Sequence, residues 1–422
     1  IIAKPNAGVP MWDSGKSEGY LAPDAFAAEM RKLLEAGAFI VGGCCGTTPA
    51  HIQAIADEMK KYEPRKPAEA KNHMVSGIEP FIYDDPTLRP IMVGERTNVI
   101  GSRKFKRLIQ EGKFEEAAEI ARAQVKGGAH VIDICLADPD RDELEDMENF
   151  LKEVTKKIKA PLVIDSTDEK VIEKALSYSQ GKAIINSINL EDGEERFESI
   201  SRLVHQFGAA VVVGTIDEKG MGVSAERKLE IARRSYDLLV NKYKISPQDI
   251  IFDPLVFPVG TGDEQYIGSA KATVDGIRLI KEHFPETLAI LGISNVSFGL
   301  PPVGREILNS VFLYHCTQAG LDYAIVNTEK LERFASISKE EVAMAEKLLF
   351  ETTQESLAVF TDFYRDKKKE SKSSMPDMSL EERLAYYIIE GTKEGLIPDL
   401  DAALAAFSAP LDIINGPLMD GM

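Results

Sequence analysis

Eight short apolar runs in this sequence close on residues that can hydrogen-bond, and those residues are where chemistry would sit. In chain order they are Glu95, Asp133, Asp165, Asn186, Thr215 (with Asp217 just beyond), Asp253, Asn295 and Asn327. Nearly all are carboxylates or carboxamides, and none is His, Lys or Arg. Such a cluster is costly to bury unless a ligand satisfies it. Phosphate would demand Lys, Arg or Gly-rich nests of backbone amides, so phosphosugars fit poorly. Carboxylates could hold a divalent cation through oxygen. They could equally accept from a flat heterocycle. The amino-pyrimidinone edge of a pterin carries an N–H and an NH₂ side by side, and one carboxylate can take both. Asn supplies the mixed donors and acceptors that the ring carbonyl and nitrogens need. The mixture suits a pterin better than metal alone, and residue types leave both open. Singly, Asp165 could be a helix cap, and Asn186 and Asn295 could be turn residues. A turn role for every one, strand after strand, is a poorer account. His130, His205, His283 and His315 fall in or beside helical stretches and read as surface or packing residues.

The elements that must position these groups have a clear grammar. The runs are IMV before Gly94, VIDIC, LVID, AIIN, AVVVGT, IIFD, AILGIS and AIVN. They are rich in Val and Ile and apolar throughout rather than alternating, as parallel strands buried on both faces are. Helical patterns follow them, for example at 114–126, 169–177, 225–242 and 339–360. Eight strand–helix units in one segment predict a (β/α)₈ barrel, whose site lies at the C-terminal ends of the strands. A doubly wound sheet is the rival, but no GxGxxG turn follows the first strand.

The flanks differ. Residues 1–63 carry a helix at 23–36, the buried-strand run FIVGGCC and a helix at 49–62, the pattern of the last βα units of another α/β fold. Residues 64–80 read as a polar, Pro-containing linker, 81–366 as the barrel, and 367–378 as a charged linker. Residues 379–422 hold two amphipathic helical patterns, LEERLAYYIIEG and DAALAAFS, the start of a small bundle. The start lacks an initiator Met and a signal-peptide core, so the chain reads as a segment of a longer polypeptide.

Composition narrows the partners. A formal net charge of −18 argues against broad nucleic-acid or anionic-membrane binding. No apolar run reaches the ~18 residues of a membrane span. Four cysteines, two of them adjacent (Cys44, Cys45) and two far apart (Cys135, Cys316), suit a reducing cytoplasm and a metal site rather than a disulfide framework.

MVGERTN, VIDIC, PLVIDST, AIINSIN, IIFDPLVFP and LGISNVSFGLP together resemble the pterin-binding methyltransferase barrel. That barrel is shared by cobalamin-dependent methionine synthases and the methyltetrahydrofolate methyltransferases that serve a corrinoid iron–sulfur protein. Dihydropteroate synthases share the fold, but their phosphate-handling Lys and Arg motifs are not evident. PNAGVP and FIVGGCCGTTPAHI resemble the homocysteine-binding barrel of the methionine synthases. The tail from Ser379 resembles the start of the helical cap of their cobalamin module.

The resemblance implies methyl transfer from 5-methyltetrahydrofolate to cob(I)alamin carried on a corrinoid-binding domain, within methionine synthesis from homocysteine. It maps pterin contacts onto Asp165, Asn186, Asp253 and Asn295, with Glu95 and Asn98 lining the same mouth. Asp165 and Asp253 would accept from the pyrimidine edge and Asn186 would bridge it. Asn295 would donate near N5, and Asp133 would join a water network that carries the proton. Cys44 and Cys45 match two of three thiolate zinc ligands; no earlier Cys supplies the third. The alternatives are a stand-alone methyltetrahydrofolate:corrinoid protein methyltransferase and a folate-binding fragment without activity.

Overall fold

The computed structural model describes residues 2–8, 11–13, 16–18, 21–63, 72–365, 378–390, 395–407 and 409–419. The chain divides into two compact units, 1–71 and 72–422. In the first, Ile2–Ala3 pairs in parallel with Ile40–Val41, and Met11–Asp13 forms a hairpin with Lys16–Glu18. Helices Pro23–Glu35 and Pro49–Met59 pack through Phe26, Met30 and Ile55 over Ala7.

The second unit contains a closed barrel of eight parallel strands. They are β1 (Ile91–Gly94), β2 (Val131–Ile134), β3 (Leu162–Asp165), β4 (Ile184–Leu190), β5 (Ala210–Asp217), β6 (Ile250–Asp253), β7 (Leu288–Gly292) and β8 (Tyr323–Val326). Each pairs with its neighbours in sequence; β8 pairs with β1, and β4 with β5. The eight strands coincide with the eight apolar runs. They are apolar on both faces because one face packs inside the barrel and the other against helices. The inner core includes Val93, Val131, Val163, Ile184, Val212, Ile251, Ile290 and Tyr323.

Residues 64–71 of the expected 64–80 linker lie outside the described residues. Its remainder is ordered: Met74–Ser76 pairs with Pro80–Ile82, and Val75 is fully buried in the inner core beside Tyr83. The apolar residues that close the barrel floor are too few and too short to stand out in sequence. Nearly all of the expected linker at 367–378 also lies outside the described residues.

Ten helices cover the barrel: α1 (Arg103–Gln110), α2 (Phe114–Lys126), α3 (Glu143–Lys157), α4 (Glu169–Tyr178), α5 (Glu195–Phe207), α6 (Ala225–Tyr236), α7 (Ser269–His283), α8 (Pro302–Gln318), α9 (Lys339–Phe350) and α10 (Gln354–Arg365). The helix expected over 339–360 is two helices. Thr353 breaks it: its hydroxyl accepts from the Ser356 amide at 3.0 Å, and the Ser356 hydroxyl accepts from the Thr353 amide at 2.9 Å. That reciprocal cap starts a new helix inside an unbroken apolar pattern. The tail folds as Leu380–Glu390, Leu396–Ala406 and Pro410–Ile413 around Leu384, Tyr387, Ala403 and Ile413. Among the described residues no helix is long and apolar enough to cross a membrane.

Candidate functional site

A cavity of about 900 Å³ opens at the C-terminal end of the barrel. It brings together Glu95, Asn98, Asp133, Asp165, Asn186, Asp253 and Asn295. Asn327 also lines it, while Thr215 and Asp217 do not. Thr215 is fully buried and donates its hydroxyl to the Asp253 carbonyl at 3.2 Å. Asp217 is ion-paired with Arg227. Both are structural.

The loop after β1 is fixed from behind. Gln124 of α2 accepts from the Arg96 amide at 2.7 Å and donates to the Thr97 hydroxyl at 3.3 Å; Thr97 in turn donates to the Asp133 carbonyl. This chain of bonds ties the GERTN segment to β2. It leaves Asn98 with its carbonyl oxygen turned back to the amides of Ile100 (2.9 Å) and Gly101 (3.1 Å). The Asn98 amide nitrogen therefore faces inward, donating to Asp133 at 3.4 Å and Asp165 at 3.5 Å.

Three carboxyl groups crowd this side. Asp133 is buried, and its Oδ1 has no hydrogen-bond partner among the described residues. Burial, then the charges of Asp165 and Glu95, push its pKa well above the ordinary carboxylate range. Burial and Glu143 raise Asp165 to about 6. Burial raises Glu95, which accepts from the Ser294 hydroxyl at 3.2 Å. Desolvated acids this close share protons rather than ionise together. The cap role open to Asp165 belongs instead to Asp168, which accepts from the Lys170 amide at 2.7 Å at the start of α4. Asp165 is thereby left for the cavity.

Asn186 on β4 lies beside Asp165 in the strand register. The pairing of β4 with β5 shifts between Ile185 and Ile188, a bulge of the kind that re-aims a side chain. Arg196 of α5 braces both loops, donating to the carbonyls of Ser166 (3.1 Å), Thr167 (2.6 Å) and Ser187 (3.1 Å). Across the mouth, Asp253 accepts from the Leu255 amide at 2.8 Å. Burial lifts its pKa to about 6, against the Leu255 amide and the Lys228 charge. Asn295 is the exposed member, in the one-turn helix Ile293–Ser297 that follows β7. Neither Asn186 nor Asn295 has a side-chain hydrogen bond to the described residues, so both amides are available to a ligand.

Several lining groups were not singled out in sequence. Arg96, Arg305 and Lys330 bring positive charge to the cavity. The absence of cations holds at the strand ends but not at the mouth, because these groups arrive from loops and from the first turn of α8. Phe257 and Tyr266, with ring centroids 4.8 Å apart and planes at 15°, add a stacked aromatic wall. The histidines set aside as packing groups are structural in this sense: His130 accepts from the Met92 amide at 3.0 Å, and His315 meets Glu346 at 2.9 Å.

In the first unit, Cys44 and Cys45 are exposed with sulfurs 3.9 Å apart. The Cys45 amide donates to the Asn6 side chain at 3.2 Å, and the Cys44 amide to the Pro5 carbonyl at 3.1 Å, so the PNAG segment holds the pair. Two thiolates on a tetrahedral zinc at ~2.3 Å stand about 3.8 Å apart, so the spacing fits. No group of three or more His, Cys, Asp or Glu able to hold a metal occurs among the described residues. On a tetrahedral zinc the pair would supply two of four ligands.

Three family models match the chain in order: homocysteine S-methyltransferase over residues 1–59, pterin binding enzyme over 94–327, and B12 binding domain over 380–422. That order agrees with a segment of cobalamin-dependent methionine synthase centred on its pterin-binding domain. Among solved structures, the chain is similar to a dihydropteroate synthase of Xanthomonas albilineans, at 15% identity and a TM-score of 0.42, covering 61% of this chain and 92% of that one. It is likewise similar to a Yersinia pestis dihydropteroate synthase, at 14% identity and a TM-score of 0.41, covering 65% and 98%. The pterin match spans more than half of the sequence and every acid and amide that lines the cavity. The chain belongs to the pterin binding enzyme family.

Proposed function

We propose that the barrel binds 5-methyltetrahydrofolate and passes its N5-methyl group to cob(I)alamin, as one step of methionine synthesis from homocysteine. The observation that carries this reading is the convergence of two ionisable acceptors, Asp165 and Asp253, with two unengaged amides, Asn186 and Asn295, on one cavity.

The division of labour follows from chemistry. Asp165 and Asp253 accept from the N–H and NH₂ of the pyrimidine edge, and Asn186 bridges it. The C–N5 bond breaks as the methyl leaves, so N5 needs a proton or a hydrogen bond that strengthens as charge develops. Asn295, the exposed amide at the outer face, donates to N5. Asp133, whose burial favours its protonated form, supplies a proton that reaches N5 through water, while Asn98 orients the Asp133 carboxyl. The corrinoid supplies the nucleophile, so the chain needs none of its own. Phe257 and Tyr266 offer a flat face to the aromatic part of the substrate.

In this reading residues 1–63 are the end of a homocysteine-binding barrel, 81–366 the methyl-pterin barrel, and 379–422 the start of a cobalamin cap, joined by linkers at 64–80 and 367–378. Cys44 and Cys45 would hold zinc as thiolates beside a third ligand, and the metal would lower the pKa of a homocysteine thiol. A cytoplasmic setting fits four free thiols. Methyl transfer from 5-methyltetrahydrofolate to free cob(I)alamin, followed spectroscopically, tests the central step. Turnover that slows by about 10²-fold or more in Asn295→Ala supports it, and an inert wild-type chain that still binds folate refutes it.

A further inference from the structure

Lys228 lies in the first turn of α6 and is completely buried. It does not line the cavity. A buried ammonium is costly unless its protons are engaged. Two are: Nζ donates to the Gly222 carbonyl at 2.8 Å and to the Pro254 carbonyl. The Phe257 ring centroid is 5.0 Å from Nζ. The lysine stem runs over Gly276 of α7, where a Cβ would stand 2.7 Å from Lys228 Cδ. Gly276 thus keeps the slot open, at some cost to its own helix.

The carbonyl that Lys228 grips belongs to the residue after Asp253. The next residue, Leu255, has φ +63°, a conformation that a bulky side chain rarely adopts. Three contacts from three elements hold it there. Asp253 of β6 accepts from the Leu255 amide at 2.8 Å, Thr273 of α7 donates to the Leu255 carbonyl at 2.8 Å, and Lys228 of α6 holds Pro254.

We propose that Lys228 is a positioning residue for Asp253: it anchors the Asp253–Leu255 turn and supplies the cation that keeps the Asp253 carboxylate an acceptor for the N–H edge of the ligand. The ligand half of this rests on the methyl-pterin reading. The electrostatics agree with the geometry. Burial lowers Lys228 to about 7 and raises Asp253 to about 6, and each charge favours the other's ionised form.

The test is a pair of double-mutant cycles on the full chain, read as the dissociation constant for 5-methyltetrahydrofolate. Lys228→Met is expected to weaken binding about tenfold or more. Combined with Asp253→Asn, it adds nothing beyond Asp253→Asn alone; combined with Asp165→Asn, the two losses multiply. Losses that multiply in both cycles overturn the proposal, since a lysine serving only stability would not single out Asp253. Gly276→Ala displaces the stem without deleting the amine and is expected to move binding the same way by less. A ligand-free readout is the titration of the Asp253 carboxyl by ¹³C NMR, assigned with Asp253→Asn. Its pKa rises in Lys228→Met or Gly276→Ala if the proposal holds, and an unchanged value in both overturns it. A shifted carboxyl in a chain that binds no folate would sink the methyl-pterin reading and leave the Lys228–Asp253 link standing.

Discussion

Asn98 donates its side-chain amide to Oδ2 of Asp133 across 3.4 Å, while Oδ1 of Asp133 meets no partner among the described residues. Burial and the two neighbouring acids push the pKa of a carboxyl held this way well above the ordinary carboxylate range. A raised carboxyl pKa contributes stability that is fully present below the unfolded value of about 3.9 and is lost as pH rises through the folded value. Asp133→Asn removes that loss. At pH 8 the variant is expected to be more stable than the wild type by about 1 kcal/mol, or roughly 2–4 °C in Tm, and slower in methyl transfer. Calorimetry from pH 5 to pH 8 checks this; a variant destabilised equally at both ends would contradict it.

Binding has the opposite pH dependence. Asp165 and Asp253 titrate near 6 and accept from the pterin only when ionised. Affinity for 5-methyltetrahydrofolate should fall as pH drops below about 6, by up to tenfold per unit for each carboxylate that must deprotonate. Titration between pH 5 and pH 8 measures this. A flat profile would remove both carboxylates from the pyrimidine edge.

Asn295 is exposed, lines the cavity and has no side-chain hydrogen bond to the described residues. A donor that matters only as charge develops on N5 costs rate, not binding. Asn295→Ala should lower the transfer rate by about 10²-fold or more while changing folate affinity much less. Equal losses in both would assign it to ground-state binding.

The barrel was legible because burial on both faces leaves an apolar run that no turn or surface helix imitates. The cavity was legible in part because a strand's last residue lies at the mouth. That rule does not say which way the last side chain points. Successive residues alternate in direction, and so Thr215 and Asp217 turn into the structure while Asn186 and Asp253 face the cavity. Lys228, Arg305 and Lys330 were hidden for another reason. They belong to helices and loops where a basic residue is ordinarily solvated, and only the packing of α6 and α8 on the barrel reveals their direction. The break at Thr353 was hidden because the apolar period continues through it.

The cysteine pair makes a separate prediction. With sulfurs at 3.9 Å and no third ligand among the described residues, zinc should bind this chain far more weakly than a complete site does. Cys44→Ser or Cys45→Ser should abolish what binding there is and leave folate affinity unchanged. Competition with a chromophoric chelator measures the first. A loss of folate binding in either variant would contradict the separation of the two sites.

The most direct test is calorimetric titration of the chain with 5-methyltetrahydrofolate, alongside Asp165→Ala. The account predicts one molecule bound per chain by the wild type and at least tenfold weaker binding by the variant. Failure of the folded wild type to bind, or an unchanged titration in Asp165→Ala, would contradict it.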